Sequence, residues 1–95
     1  MSYALSLLMS RKEFLQYAAL KEQNRKAVRG FREVGETFVY LGCTCIVRSH
    51  ERFVGYLGWM PELQADYVDD RGVIHAISFS AKDIPLLEKH NLKSG

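Results

Sequence analysis

From Ser10 to Phe31 apolar side chains recur at threes and fours. Phe14, Tyr17, Ala18, Leu20, Ala27, Val28 and Phe31 alternate with Lys21, Glu22, Arg25, Lys26 and Arg29. This period predicts an amphipathic helix. Ser10-Arg11-Lys12-Glu13 reads as a capping box, with the Ser10 hydroxyl on the amide of residue 13 and the Glu13 carboxylate on the amide of residue 10. The helix is therefore expected to start at Arg11 and to stop at Gly30. The stripe weakens at Gln23 and Asn24. Residues 2–9 lie ahead of the cap and read as a separate short strand or helical turn.

Beyond Gly35 the period changes. Thr37 to Leu41 and Cys43 to Arg48 carry β-branched and aromatic residues, with Gly42 as a bulge or bend between them. Phe53 to Leu57 reads as a third short strand. Leu63 to Val68 and Val73 to Phe79 form the clearest hairpin, around Asp69-Asp70-Arg71-Gly72. A three-residue loop puts Gly72 at the left-handed position of a bulged turn. That register sets Leu63 opposite Phe79, Ala65 opposite Ile77 and Tyr67 opposite His75. It makes one face apolar except for His75, whereas a one-residue slip scrambles the division. Ser80-Ala81-Lys82-Asp83 repeats the capping logic with a shorter acid. A short helix or 3₁₀ turn is expected from about 82 to 90, with Pro85 in its first turn and Ile84, Leu86 and Leu87 facing the sheet.

These elements predict an α+β fold. An N-terminal helix packs on a strongly bent antiparallel sheet of about five strands, SH3-like in general shape or a small open barrel, with a short C-terminal helix. Ninety-five residues suit one domain, 1–95. An apolar fraction of 47% with 25% charged residues is a globular balance and argues against disorder. The opening residues lack a basic region and a cleavage site, and no apolar run approaches membrane-spanning length. A cytoplasmic protein without membrane partners is expected. Cys43 and Cys45, the two cysteines, are expected to be thiols. On one strand both point the same way, and a bridge between them needs strained geometry.

Candidate chemistry is sparse. Cys43-Thr44-Cys45 with His50, and His75 as a fourth ligand, has donor types that suit zinc but not the usual two-to-four-residue spacing on turns. The favoured reading is two small half-buried hydrophobes, and neither metal nor cofactor is expected. No nucleophile elbow or cysteine-protease signature occurs, and no catalytic residue is assigned. Gly55-Tyr56-Leu57-Gly58 matches no phosphate-binding loop. His75, beside Tyr67 in the preferred register, reads first as a satisfied core histidine and second as a pocket lining. Trp59-Met60-Pro61 is expected in a connection. With Tyr56 it either covers the core edge or forms an exposed partner or ligand surface.

Charge adds one asymmetry. Seven basic and two acidic side chains lie between Arg11 and Arg32, a local +5 that leaves the remainder at −3. Lys21, Arg25, Lys26, Arg29 and Arg32 cluster there, either as a solvated face or as contacts to nucleic-acid phosphates. The apolar leader Tyr3, Leu5, Leu7, Leu8 and Met9 exceeds what one small core absorbs. The leading expectation is thus a non-enzymatic interaction module acting as a homo-oligomer, most simply a dimer, with a protein partner as a further expectation. The alternatives are nucleic-acid binding through the basic helix, and a small-molecule pocket or enzyme site using His75, Tyr67 and Trp59.

Overall fold

The computed structural model describes residues 10–92. Helix α1 spans Arg11–Phe31 and is followed by strands β1 (Thr37–Tyr40), β2 (Cys43–Val54), β3 (Gly58–Val68) and β4 (Ile74–Phe79). A 3₁₀ turn, Ala81–Asp83, leads into helix α2, Ile84–Leu92. The strands form one open antiparallel meander in the order β1-β2-β3-β4. The expected segment 2–9 lies outside the described residues.

The α1 capping box forms as the sequence predicts: the Glu13 amide donates to the Ser10 hydroxyl at 3.1 Å and the Ser10 amide to the Glu13 carboxylate at 3.0 Å. These bonds hold the Glu13 carboxyl below its usual pKa. Gly30 does not end the helix, which runs one residue further and breaks at Arg32, in extended conformation. Phe31 explains the extension, because its ring is buried and edge-on to Phe38 at 5.4 Å. Helix α1 carries only two buried residues, Val28 and Phe31, both near its C-terminus.

The sheet has four strands instead of five. The expected second and third strands are one twelve-residue strand, β2. It crosses the polar stretch around His50 through two register shifts, between Val47 and Ser49 and between Ser49 and Glu51. Such bulges let a strand bend and continue where alternation alone reads as an interruption. Trp59-Met60-Pro61 is not a connection either. It lies in β3, opposite Phe53, Arg52 and Glu51. The true connection is the 3₁₀ turn Gly55–Leu57. Gly42 closes a two-residue β1–β2 turn in which both Leu41 (φ 49°) and Gly42 (φ 80°) are left-handed. The β3–β4 hairpin has the expected register, Leu63↔Phe79, Ala65↔Ile77 and Tyr67↔His75, and Gly72 has φ 82°.

Both helices cover one face of the sheet. Val28 and Phe31 from α1, and Ile84 and Leu87 from α2, pack with Phe38, Cys45, Val47, Leu63, Ala65 and Phe79. Leu86, expected to face the sheet, is instead exposed. It lies two positions after Ile84 and one before Leu87, off the buried stripe of a helix. The sheet is strongly bent. Phe79 on β4 meets both Phe38 (5.8 Å) and Tyr40 (4.9 Å) on β1, although two strands separate them. Helix α2 also covers the β1 edge. The Asn91 side chain accepts from the Val39 amide at 2.9 Å and donates to the Val39 carbonyl at 3.1 Å, mimicking the backbone of a further strand. Among the described residues no helix is long and apolar enough to cross a membrane.

Leu41 is strained without compensating burial, since 82% of its surface is exposed. Asn before Gly is the favoured pair for such a turn. Leu41→Asn is therefore expected to raise stability by about 1 kcal/mol, read as a higher urea midpoint. An unchanged or lower midpoint would show that the turn carries no strain.

Candidate functional site

Past the last residues paired with β1 and β4, the β2–β3 hairpin continues as a two-stranded arm, Glu51–Val54 against Gly58–Pro61. Its end carries aromatic side chains. Phe53 and Trp59 are cross-strand partners in edge-to-face contact at 5.3 Å, and both are more than half exposed. Tyr56 projects from the connecting turn and is 64% exposed. Such a ring pair is worth about 0.5–1.5 kcal/mol to the hairpin, yet it leaves most of both rings in water. Tyr56 and Trp59, candidates from the sequence, are both exposed here. Phe53 was not among those candidates, because the link becomes visible only when the turn is placed at Gly55–Leu57 and residues 53 and 59 face each other. Met60 belongs less to this surface: it is half-buried and accepts a hydrogen bond from the Tyr17 hydroxyl of α1 at 3.4 Å.

Tyr67 and His75 are brought together, but at the other end of β3. Eight residues of strand separate Tyr67 from Trp59, roughly 26 Å at about 3.3 Å per residue, so the three do not line one pocket. The rings of Tyr67 and His75 stack at 5.1 Å and 20°. His75 is not a core residue; its side chain is 43% exposed, and its Nε2 donates to Asp69 Oδ2 at 2.7 Å. Asp69 organises the turn, since its Oδ1 also accepts from the amides of Arg71 (2.8 Å) and Val73 (2.9 Å). The His75 hydrogen bond, reinforced by those amides, holds the Asp69 carboxyl below its usual range. This geometry is that of a clamp on the bulged turn.

The basic residues of α1 diverge in role. Arg25 pairs with Glu22 and with Glu51 of β2 at 3.8 Å. Arg32 donates to the carbonyls of Thr37 (2.9 Å) and Phe31 (2.8 Å), and its guanidinium lies 4.6 Å from the Phe31 ring centroid. Lys21 is half-buried, and only Lys26 and Arg29 of the five are exposed. On the uncovered sheet face a further polar row appears that the sequence did not reveal. Arg48 meets Asp66 and Gln64, Gln64 donates to Glu62, and Arg52 pairs with Glu62.

Cys43 and Cys45 are thiols on the core side of β2, Cys45 fully buried and Cys43 partly so. Burial, and secondarily Cys43, push the Cys45 thiol above its usual pKa. His50 turns to the Arg32 carbonyl, to which it donates at 2.7 Å. Among the described residues no group of three or more His, Cys, Asp or Glu side chains is placed to hold a metal. The fold and these surfaces define a small α+β module whose sheet has one face uncovered among the described residues. Comparison with known proteins finds no matching family model, curated protein or solved structure.

Two outcomes follow from this geometry. Asp69 has the lower pKa in the folded chain. Its contribution to stability is therefore complete above the unfolded carboxylate's pKa and disappears as pH falls through the folded value. Asp69→Ala should flatten the acid limb of a stability-against-pH profile; a limb as steep as that of the unmodified protein would show that the clamp does not contribute. With a thiol reagent, Cys43 should react well before Cys45. Equal rates would place Cys45 outside the core.

Proposed function

We propose that this chain is a non-enzymatic interaction module that works as a homo-oligomer, with a dimer as its simplest form, and offers its aromatic arm to a protein partner. The observation that carries this reading is the cluster of Phe53, Tyr56 and Trp59, each more than half exposed at the end of the β2–β3 arm. Large aromatic side chains left wet lose the hydrophobic gain that burial gives, about 25 cal/mol per Å². They are also the residue types that dominate protein interfaces. The open sheet face supports the same reading, with Ile46, Val68 and Ile74 exposed beside one another on β2, β3 and β4. Exposed apolar area of this kind marks association surfaces.

Nucleic-acid binding along α1 takes second place. Arg25 and Arg32 already hold Glu51 and backbone carbonyls, which leaves Lys26 and Arg29 to meet phosphates. A pocket at Tyr67 and His75 takes third place, because Asp69 satisfies the imidazole within the turn.

Sedimentation across low to high micromolar concentration tests the leading reading. A concentration-dependent dimer is expected. Trp59 is the single tryptophan, so acrylamide quenching of its emission reports whether the arm stays wet in that dimer. A chain that remains monomeric throughout the range rules out the homo-oligomer.

A further inference from the structure

The two edges of the sheet are treated differently. The β1 edge is occupied at Val39 by the amide of Asn91, which supplies both a donor and an acceptor. Among the described residues the β4 edge has no such cover. The Asp69 amide donates to the Val73 carbonyl at 3.0 Å, which fixes the phase of the β3–β4 ladder. By antiparallel alternation, His75, Ile77 and Phe79 exchange bonds with β3, whereas Ile74, Ala76 and Ser78 turn their N–H and C=O groups away from it. Among the described residues no hydrogen bond reaches those outward groups. The strand, Ile74-His75-Ala76-Ile77-Ser78-Phe79, carries no Lys, Pro or register shift. These are the devices by which an exposed edge normally avoids pairing.

We propose that β4 pairs antiparallel with β4 of a second copy, joining two four-stranded sheets into one of eight strands across a twofold axis at Ala76. This rests on the homo-oligomer reading and names its surface. A twofold axis normal to the sheet keeps both helical layers on one side and pairs residues of like facing. Centred on Ala76, it pairs Ile74 with Ser78 in both directions, so every outward amide and carbonyl of the three residues finds a partner. His75 then faces Ile77, and Val73 of one copy comes beside Phe79 of the other. That second match matters. Val73 and Leu86 are both about half exposed, and a groove of about 320 Å³ lies between β4 and α2, with Tyr40, Ile77, Phe79 and Leu86 on its apolar side and Ser78 and Asp83 on its polar side. The second copy supplies an apolar side chain to that groove. No like charges meet along the strands.

Ala76 provides the test, because its side chain is exposed on the uncovered face and sits on the axis. Ala76→Lys and Ala76→Glu each place two like charges directly opposite one another, which disfavours strand pairing. Each variant alone should weaken dimerisation at least about tenfold, and mixing the two should restore a mixed dimer. In the unmodified protein, hydrogen exchange at the amides of Ile74, Ala76 and Ser78 should slow as concentration rises; this readout needs no variant to fold. A wild-type dimer that neither substitution weakens, or edge amides whose exchange ignores concentration, overturns edge pairing and leaves the homo-oligomer reading standing on another surface. A wild-type chain that stays monomeric overturns both.

Discussion

The contact on which the remaining structure depends is the aromatic cluster around Phe38. Its ring meets Phe31 of α1 on one side and Phe79 of β4 on the other, and Phe79 also meets Tyr40. One side chain thereby joins the helix, the first strand and the last strand, which are far apart in sequence. Meeting across two intervening strands requires a bent sheet, and the bend closes the core over Leu63 and Ala65, both fully buried. The same cluster anchors the C-terminal end of α1. It explains why burial on that helix is confined to Val28 and Phe31, and why the chain passes through Gly30 without stopping.

A core gathered at one end of a long helix and a long hairpin leaves the other ends outside it. The radius of gyration is 15.7 Å, against about 12.4 Å expected for a compact chain of this length. The β2–β3 arm is part of that extension. Helix α1 reaches it through Tyr17 at Met60 and Arg25 at Glu51, and the arm's outer aromatic residues remain wet. Among the described residues the sheet likewise has one covered face and one open face, one covered edge and one bare edge. The open face carries the paired row of Arg48, Asp66 and Gln64 beside exposed Ile46, Val68 and Ile74, and the outward backbone groups of β4 meet no partner among the described residues. The association proposed above therefore follows from where the core lies more than from any single residue.

Charges serve the fold before they serve any ligand. Arg32 caps the end of α1, Arg25 ties the helix to Glu51 of the arm, and Arg48 and Arg52 tie β2 to β3. Exposed pairs of this kind contribute little individually, about 0–1 kcal/mol. Their geometry still consumes side chains that a linear reading assigns to one basic stripe. His75 shows the same pattern, because Asp69, six positions earlier, reaches it only when the bulged turn folds back.

Local features are legible in the chain's residue pattern alone. The Ser10 cap, the helix that follows it and the β3–β4 register with its Gly72 turn depend on neighbours within a few residues and on a period of two or 3.6. Those patterns are strong enough to decide pairing once one face must be dry. The remainder rests on contacts between elements. Whether the polar run around His50 interrupts a strand or is carried through by bulges depends on a partner strand ten or more residues away. The placement of Trp59 in a strand and its pairing with Phe53, six residues earlier, depend on the turn falling at Gly55–Leu57. Which arginines stay exposed, which leucine of α2 is buried, and which sheet edge is covered all depend on contacts between elements. Alternation along one segment records which side of that segment is apolar; only the assembled layers fix what lies against it.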